Sequence, residues 1–222
     1  MTENIINVIE ENKIIAICRG TYGEELFQLV SALEKGGVKL VEVTFDQGDP
    51  DCLSKTSTAI AKLSQKFNDS MVIGAGTVVT LEQVETAYQA GAKYIISPNT
   101  NPAIIKRTKE LGMVSMPGAM TPTEILAAHE AGADFVKVFP VGALGLGYVK
   151  DIRGPINHVK LIATAGVTPD NLKDYLAAGF SGSGISGYLT NKKFIQSKQF
   201  DVLTEHAKEL MQIVEKFKAE NK

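Results

Sequence analysis

An α/β barrel of the (β/α)8 type, a TIM barrel with an N-terminal helix and a C-terminal helix, is the fold that this 222-residue sequence predicts. Three observations lead there. Short β-rich runs alternate with helix-forming segments, the pattern of a parallel sheet covered by helices. Eight such units fit in about 200 residues, which suits a closed barrel better than an open doubly wound sheet. A glycine that ends a helix also recurs before every second strand, at Gly37, Gly91, Gly132 and Gly179.

The strands are expected at Ile14–Cys18, Leu40–Phe45, Met71–Gly74, Tyr94–Ser97, Val114–Pro117, Phe135–Phe139, Lys160–Ala163 and Gly182–Ile185. Helix starts follow several of them. Thr21…Glu24, Thr80…Gln83 and Thr121…Glu124 have the spacing of capping boxes. Asn101-Pro102 and Thr168-Pro169 put Pro at a first helical position. No Ser/Pro-rich linker interrupts the series, so residues 1–222 read as one domain.

The repeated glycine also sets a register. Five residues beyond each copy lie Glu42, Ile96, Lys137 and Gly184. Layers inside a TIM barrel take four side chains from alternate strands, so these four are expected to form one layer. Glu42 and Lys137 would then face each other from opposite strands, with room left beside them at Gly184.

Lys137 lies in the apolar run Phe135-Val136-Lys137-Val138-Phe139, closed by Pro140. A buried lysine loses its proton or finds a partner, because an isolated ammonium is costly to desolvate. A neutral amine in a cavity is a nucleophile for carbonyl carbons; the plainer reading is a packed stem with a head that snorkels or pairs. Glu42, in Leu40-Val41-Glu42-Val43-Thr44, reads as a general acid/base or as a structural ion-pair partner of Lys137. Arg19 closes the first strand, where its guanidinium suits a substrate carboxylate or a surface salt bridge.

Active sites of this fold sit at the C-terminal ends of the strands. Those ends add Thr77 after Gly74-Ala75-Gly76, Pro98, Thr164 with Ala165-Gly166, and the stretch Gly184 to Gly187 with Ser186. Glycine-rich loops after the last two strands suit phosphate, held by backbone N–H groups, or serve packing alone.

The bulk numbers narrow the class. A net charge of -2 and the absence of like-charge blocks argue against nucleic acid or an anionic membrane as partner. No apolar run approaches the roughly 20 residues of a membrane span. Cys18 and Cys52, the only two cysteines, lie in strand-like and helical runs, as in a reduced chain. Met1-Thr2-Glu3-Asn4 does not open a signal peptide. The expectation is a soluble cytoplasmic protein. No Cys/His/acid cluster has zinc-like spacing, and His129, His158 and His206 receive no role, so neither metal nor cofactor is expected.

Taken as an ordered set, several motifs resemble the 2-keto-3-deoxy-6-phosphogluconate aldolase family, with its 4-hydroxy-2-oxoglutarate and phosphogalactonate relatives. They are Ile-Ala-Ile-Cys-Arg-Gly (15–20), Gly-Gly-Val (36–38), Val-Glu-Val-Thr (41–44), Gly-Ala-Gly-Thr (74–77), Ile-Ser-Pro-Asn (96–99), Met-Pro-Gly-Ala-Met-Thr-Pro-Thr-Glu (116–124), Val-Lys-Val-Phe-Pro (136–140) and Ala-Thr-Ala-Gly-Val (163–167). The resemblance spans nearly the whole chain. It implies a class I aldolase that splits a phosphorylated keto acid into pyruvate and glyceraldehyde 3-phosphate, or 4-hydroxy-2-oxoglutarate into pyruvate and glyoxylate. It further implies a homotrimer, a place in Entner–Doudoroff-type sugar breakdown, Lys137 as Schiff-base lysine and Glu42 as acid/base. Thr77 falls at the pyruvyl end, and Pro98, Phe139, Thr164, Ala165, Gly166, Gly184, Ser186 and Gly187 fall around the substrate.

The chain departs from the family pattern at Asp46, where many members carry the carboxylate-binding Arg; that role passes to Arg19. Ala165-Gly166 replaces a Gly-Gly pair. Two other readings remain: a phosphosugar isomerase or epimerase, and a non-catalytic sugar-phosphate-binding module. Either explains the glycine loops and leaves Lys137 without a task.

Overall fold

The computed structural model describes residues 2–221. Helix α1 (Thr2–Asn12) precedes β1 (Ile14–Cys18), and from there strands and helices alternate as α2 (Gly23–Lys35), β2 (Leu40–Thr44), α3 (Cys52–Lys66), β3 (Val72–Gly76), α4 (Leu81–Gln89), β4 (Tyr94–Ile96) and α5 (Pro102–Glu110). Next come β5 (Val114–Met116), β6 (Gly118–Ala119), α6 (Pro122–Glu130), β7 (Val136–Val138), α7 (Val141–Arg153), β8 (Leu161–Thr164), α8 (Pro169–Ala177) and β9 (Gly182–Ile185). Two helices, α9 (Lys192–Gln196) and α10 (Phe200–Glu220), end the chain.

All strand pairs are parallel, in the order β5-β4-β3-β2-β1-β9-β8-β7-β6. The expected fifth strand is divided at Pro117. Its first half, β5, pairs with β4 and its second half, β6, with β7, so the ring closes through this one stretch. Pro has no N–H to give a ladder, but its carbonyl still accepts from the Lys137 N–H at 2.8 Å.

Strand alternation separates two cores. Ile15, Leu40, Tyr94, Ile96, Val114, Met116, Phe135 and Ile162 point into the barrel, and Ile5 and Ile9 of α1 join them as its floor. Their neighbours, among them Ala16, Cys18, Val41, Val43, Ile73, Val136, Val138 and Ala163, pack outward under the helices. By the same parity Glu42, Lys137, Thr164 and Gly184 turn inward.

The glycine repeat is a repeated helix stop. Gly37, Gly91, Gly132 and Gly179 have φ of 93°, 94°, 98° and 91°. After each, the next N–H donates back across the turn: Val38 to Leu33 O, Ala92 to Ala87 O, Ala133 to Ala128 O and Phe180 to Tyr175 O. These are Schellman bonds, which satisfy carbonyls the helix end leaves free. Gly112 (φ 73°), with Met113 donating to Thr108 O, is a fifth copy that the sequence repeat did not include.

Thr80 and Thr121 form the expected capping boxes with Gln83 and Glu124. Asn101 accepts from the Ala103 N–H ahead of Pro102, and the Thr168 N–H donates to Asn171 Oδ1 at 2.8 Å. The box expected at Thr21…Glu24 does not form: α2 starts at Gly23 behind Tyr22, with no side-chain cap. Positive φ at Gly20 and Gly23 redirects the chain there, and Thr21 is buried instead of facing the first helical N–H groups.

Candidate active site

β7 turns Phe135 and Lys137 into the barrel and Val136 and Val138 out of it, leaving Lys137 only 8% exposed. Burial pushes its ammonium below the usual lysine range; the Glu42 charge opposes this and the Arg19 charge adds to it. Its Nζ lies 4.8 Å from the centroid of the Phe139 ring. β2 brings Glu42 in from the opposite side, since β2 and β7 lie four strands apart around the ring. At 2% exposure its carboxyl is pushed up by burial, against the pull of Lys137 and Arg19.

Glu42 and Lys137 act on each other electrostatically, yet no ion pair within 4.0 Å joins them among the described residues. A structural salt bridge therefore does not account for the two buried groups. Room for Glu42 comes from Gly76: a Cβ there would lie 2.6 Å from the Glu42 Cδ. Gly184 leaves similar space, since its Cβ would come within 3.0 Å of Thr164 Oγ1 and 3.2 Å of Ile17 Cδ1. Ile96 completes the expected inward set with Glu42, Lys137 and Gly184.

Above Lys137 opens a cavity of about 290 Å³ at the C-terminal ends of β1, β7, β8 and β9. It gathers Arg19, Lys137, Phe139, Thr164, Ala165, Gly166, Gly184, Ser186 and Gly187 from the expected set. Ile17, Val167 and Ile185 also line it, with no polar signal in the sequence to mark them. Ala165 and Gly166 follow β8 with φ of 70° and 85°. Gly166 packs so closely on Gly142 that a Cβ would lie 2.8 Å from the Gly142 Cα, and the Gly142 N–H donates to Ala165 O at 2.9 Å. Among the described residues, the N–H groups of Gly166, Val167 and Gly187 have no protein acceptor. Such clustered free donors suit an anion.

The loop after β9 is tied down by Thr190, which sequence reasoning missed. Its Oγ1 donates to Ile17 O at 2.8 Å and its N–H to Ser186 O at 2.7 Å. A threonine lying several residues past the strand carries no local signature of this role.

Glu42, Thr77 and Pro98 are not among the residues that line that cavity. Thr77 (φ 55°) lines an adjoining hollow of about 330 Å³ with Arg19, Gly20, Asp46 and Lys192; Arg19 borders both spaces. Pro98 is half-buried, its carbonyl oxygen 2.4 Å from where a Gly118 Cβ would stand. Asp46 accepts from the Gly48 N–H at 3.1 Å and so braces its own loop. His129 lies edge-on to His158 and His206 stacks on Tyr188, all outside the cavity. Among the described residues no three His, Cys, Asp or Glu side chains gather as a metal site.

The arrangement offers a depressed amine, an arginine and free backbone donors around one small cavity, with an elevated carboxyl inside the barrel close enough to act on the amine's charge. That set suits covalent carbonyl chemistry on an anionic substrate.

Comparison with known proteins points the same way. The sequence model of the KDPG and KHG aldolase family matches residues 5–206. The chain is 37% identical over 180 residues to a probable 2-dehydro-3-deoxy-6-phosphogalactonate aldolase of Rhizobium meliloti, covering 81% of this chain and 82% of that one. It is 30% identical over 214 residues to a 2-dehydro-3-deoxy-phosphogluconate aldolase of Haemophilus influenzae, covering 96% and 98%. Among solved structures, a native KDPGal structure superposes with a TM-score of 0.82 at 30% identity, over 92% of this chain and 95% of the other. KDPG aldolase from Legionella pneumophila, with pyruvate captured as a covalent carbinolamine, gives 0.81 at 26% identity over 91% and 96%.

Proposed function

The chain belongs to the KDPG and KHG aldolase family, and from that premise we propose how its residues divide the work of a class I aldolase cleaving KDPG-type substrates. The observation that carries the reading is the buried, unpaired amine of Lys137 at the base of the cavity. Desolvation favours its neutral form, and a neutral amine attacks the C2 ketone of a 2-keto acid. Loss of water from the carbinolamine leaves an iminium. Glu42 takes the proton of the C4 hydroxyl, the C3–C4 bond breaks, and its electron pair flows into the iminium to form the pyruvate enamine. The aldehyde departs; protonation at C3 and hydrolysis then release pyruvate and return Lys137.

Burial suits Glu42 to this step, because raising a carboxyl's pKa makes it a stronger base for the substrate proton and lets it hold that proton until it is returned. Arg19 receives the substrate carboxylate, with Thr77 beside it. The free N–H groups after β8 and β9 receive the phosphate, with Ser186. Relatives are named for phosphogluconate and phosphogalactonate substrates, and the phosphate loops support the phosphorylated class. A homotrimer in the cytoplasm goes with this reading; light scattering at three times the 23.9 kDa chain mass tests the assembly. An isomerase or a passive binding module would leave Lys137 with no use.

Pyruvate with sodium borohydride tests the chemistry. Intact mass and peptide mapping are expected to find a reduced pyruvyl adduct on Lys137 that Lys137→Ala lacks. Folded protein that forms no adduct at millimolar pyruvate overturns the assignment.

A further inference from the structure

Among the described residues, two enclosed polar atoms inside the barrel have no partner. The Tyr94 hydroxyl is fully buried, as is Oε2 of Glu42, and neither makes a hydrogen bond within the protein. Both groups hang over β3. A Cβ on Gly74 would lie 2.1 Å from Tyr94 Cε2 and 2.4 Å from Cζ, the carbon that bears the hydroxyl. A Cβ on Gly76 would lie 2.6 Å from the Glu42 carboxyl carbon.

Gly74 and Gly76 are successive inward positions of one strand, roughly 6–7 Å apart. Gly74 is also the register partner of Glu42. Two glycines therefore open adjacent hollows, one filled by a phenol ring and the next by the carboxyl. Packing among Leu40, Ile96 and Val114 calls for the ring of Tyr94 and not for its hydroxyl.

We propose that the Tyr94 hydroxyl donates, through one enclosed water, to Oε2 of Glu42 and acts as a positioning residue for that carboxyl, leaving Oε1 to exchange the substrate proton. The link runs through a water because the two atoms do not bond directly although their hollows adjoin on one strand, and a water is stable where several polar groups face it. Tyr94 is fit to donate: burial, then the Glu42 charge, keeps its hydroxyl protonated. The charged groups that act on Glu42 are Lys137 from β7 and Arg19 beyond the end of β1; the Cys18 thiol, on the outward side of β1, is kept protonated by burial. The catalytic consequence rests on the aldolase reading; the contact itself does not.

Tyr94→Phe keeps the ring and removes the donor. The readouts are the carbon-13 titration of the Glu42 carboxyl, assigned by its loss in Glu42→Gln, and the pH profile of kcat. Losing a donor to the charged form raises a carboxyl pKa, so Glu42 is expected to titrate about 0.5–1 unit higher in Tyr94→Phe. The acidic limb of kcat should move with it, so that on that limb kcat falls roughly 3–10-fold with KM little changed. Tyr94→Leu, which removes ring and hydroxyl together, should shift the titration at least as far. An identical Glu42 titration in wild type and variants overturns the proposal, even if the variants melt earlier. The titration needs no turnover, so a failed borohydride trap would remove the aldolase reading and still leave this one decided.

Discussion

Lys137 and Glu42 are each placed where water cannot solvate their charge, and each is shifted toward its neutral form. That shift links catalysis to stability. Glu42 has a native pKa above its unfolded value of about 4.5, so between the two the native state binds more protons than the unfolded chain. Stability therefore declines as pH rises through that window. Glu42→Gln removes the titration. The variant is expected to gain in melting temperature relative to wild type as pH increases from about 4.5, while kcat falls by roughly 10²–10⁴ with the loss of the acid/base. Calorimetry across pH checks the first and steady-state kinetics the second; a melting difference that stays flat with pH would contradict the assigned shift. Both residues were legible in the sequence because a charged residue in a β-rich apolar run has few bland explanations. Tyr94 was not, since tyrosine in such a run looks like any other core aromatic.

At the level of elements, the turn after β8 concentrates the unusual backbone. Ala165 holds φ of 70°, a left-handed conformation that costs an L-residue about 1–2 kcal/mol. Gly166 follows at 85°, against a Gly142 backbone that leaves no space for a side chain. Ala165→Gly should relieve the strain at the cost of a floppier unfolded chain, a net change of about 1 kcal/mol or less in favour of the fold. The unpaired N–H groups of the residues lining the cavity stay in place, so KM for a phosphorylated substrate should hold within about twofold. Denaturant unfolding and kinetics of the variant test this; a large rise in KM would mean that the methyl itself shapes the anion site. The glycines of this loop stood out in the sequence. The clasp on the β9 loop by Thr190 did not, because its partners are carbonyls on β1 and on the loop itself.

For the whole molecule, closure of the ring sets the distance across it. Glu42 and Lys137 face each other because their strands are separated by four steps in either direction, and the helices outside hold that ring by the same Schellman stop repeated at five glycines. The lower end is sealed by α1, whose Ile9 is 1% exposed among Ile15, Leu40, Val114 and Phe135. Ile9→Ala is expected to destabilise by about 2–5 kcal/mol through lost burial and the cavity left behind. Activity per folded molecule should be retained, since Ile9 lies at the floor and the reaction at the mouth. Chemical denaturation with titrated active sites would separate the two effects; wild-type stability would show that α1 is not a structural floor.

Residue spacing was enough for the βα alternation, the placement of all eight strands within a few residues, and the inward set of Glu42, Ile96, Lys137 and Gly184. These follow from local rules: a period of two along strands, glycine at helix ends, and the cost of burying charge. Folding across the barrel sets the break at Pro117 that closes the ring, the failure of the Thr21 cap, the absence of Thr77 and Pro98 from the cavity lining, and the placement of Tyr94 and Glu42 over two glycines of β3. Each of these depends on which surfaces meet across the barrel, and contacts between residues far apart in the chain leave no mark on the spacing of either one.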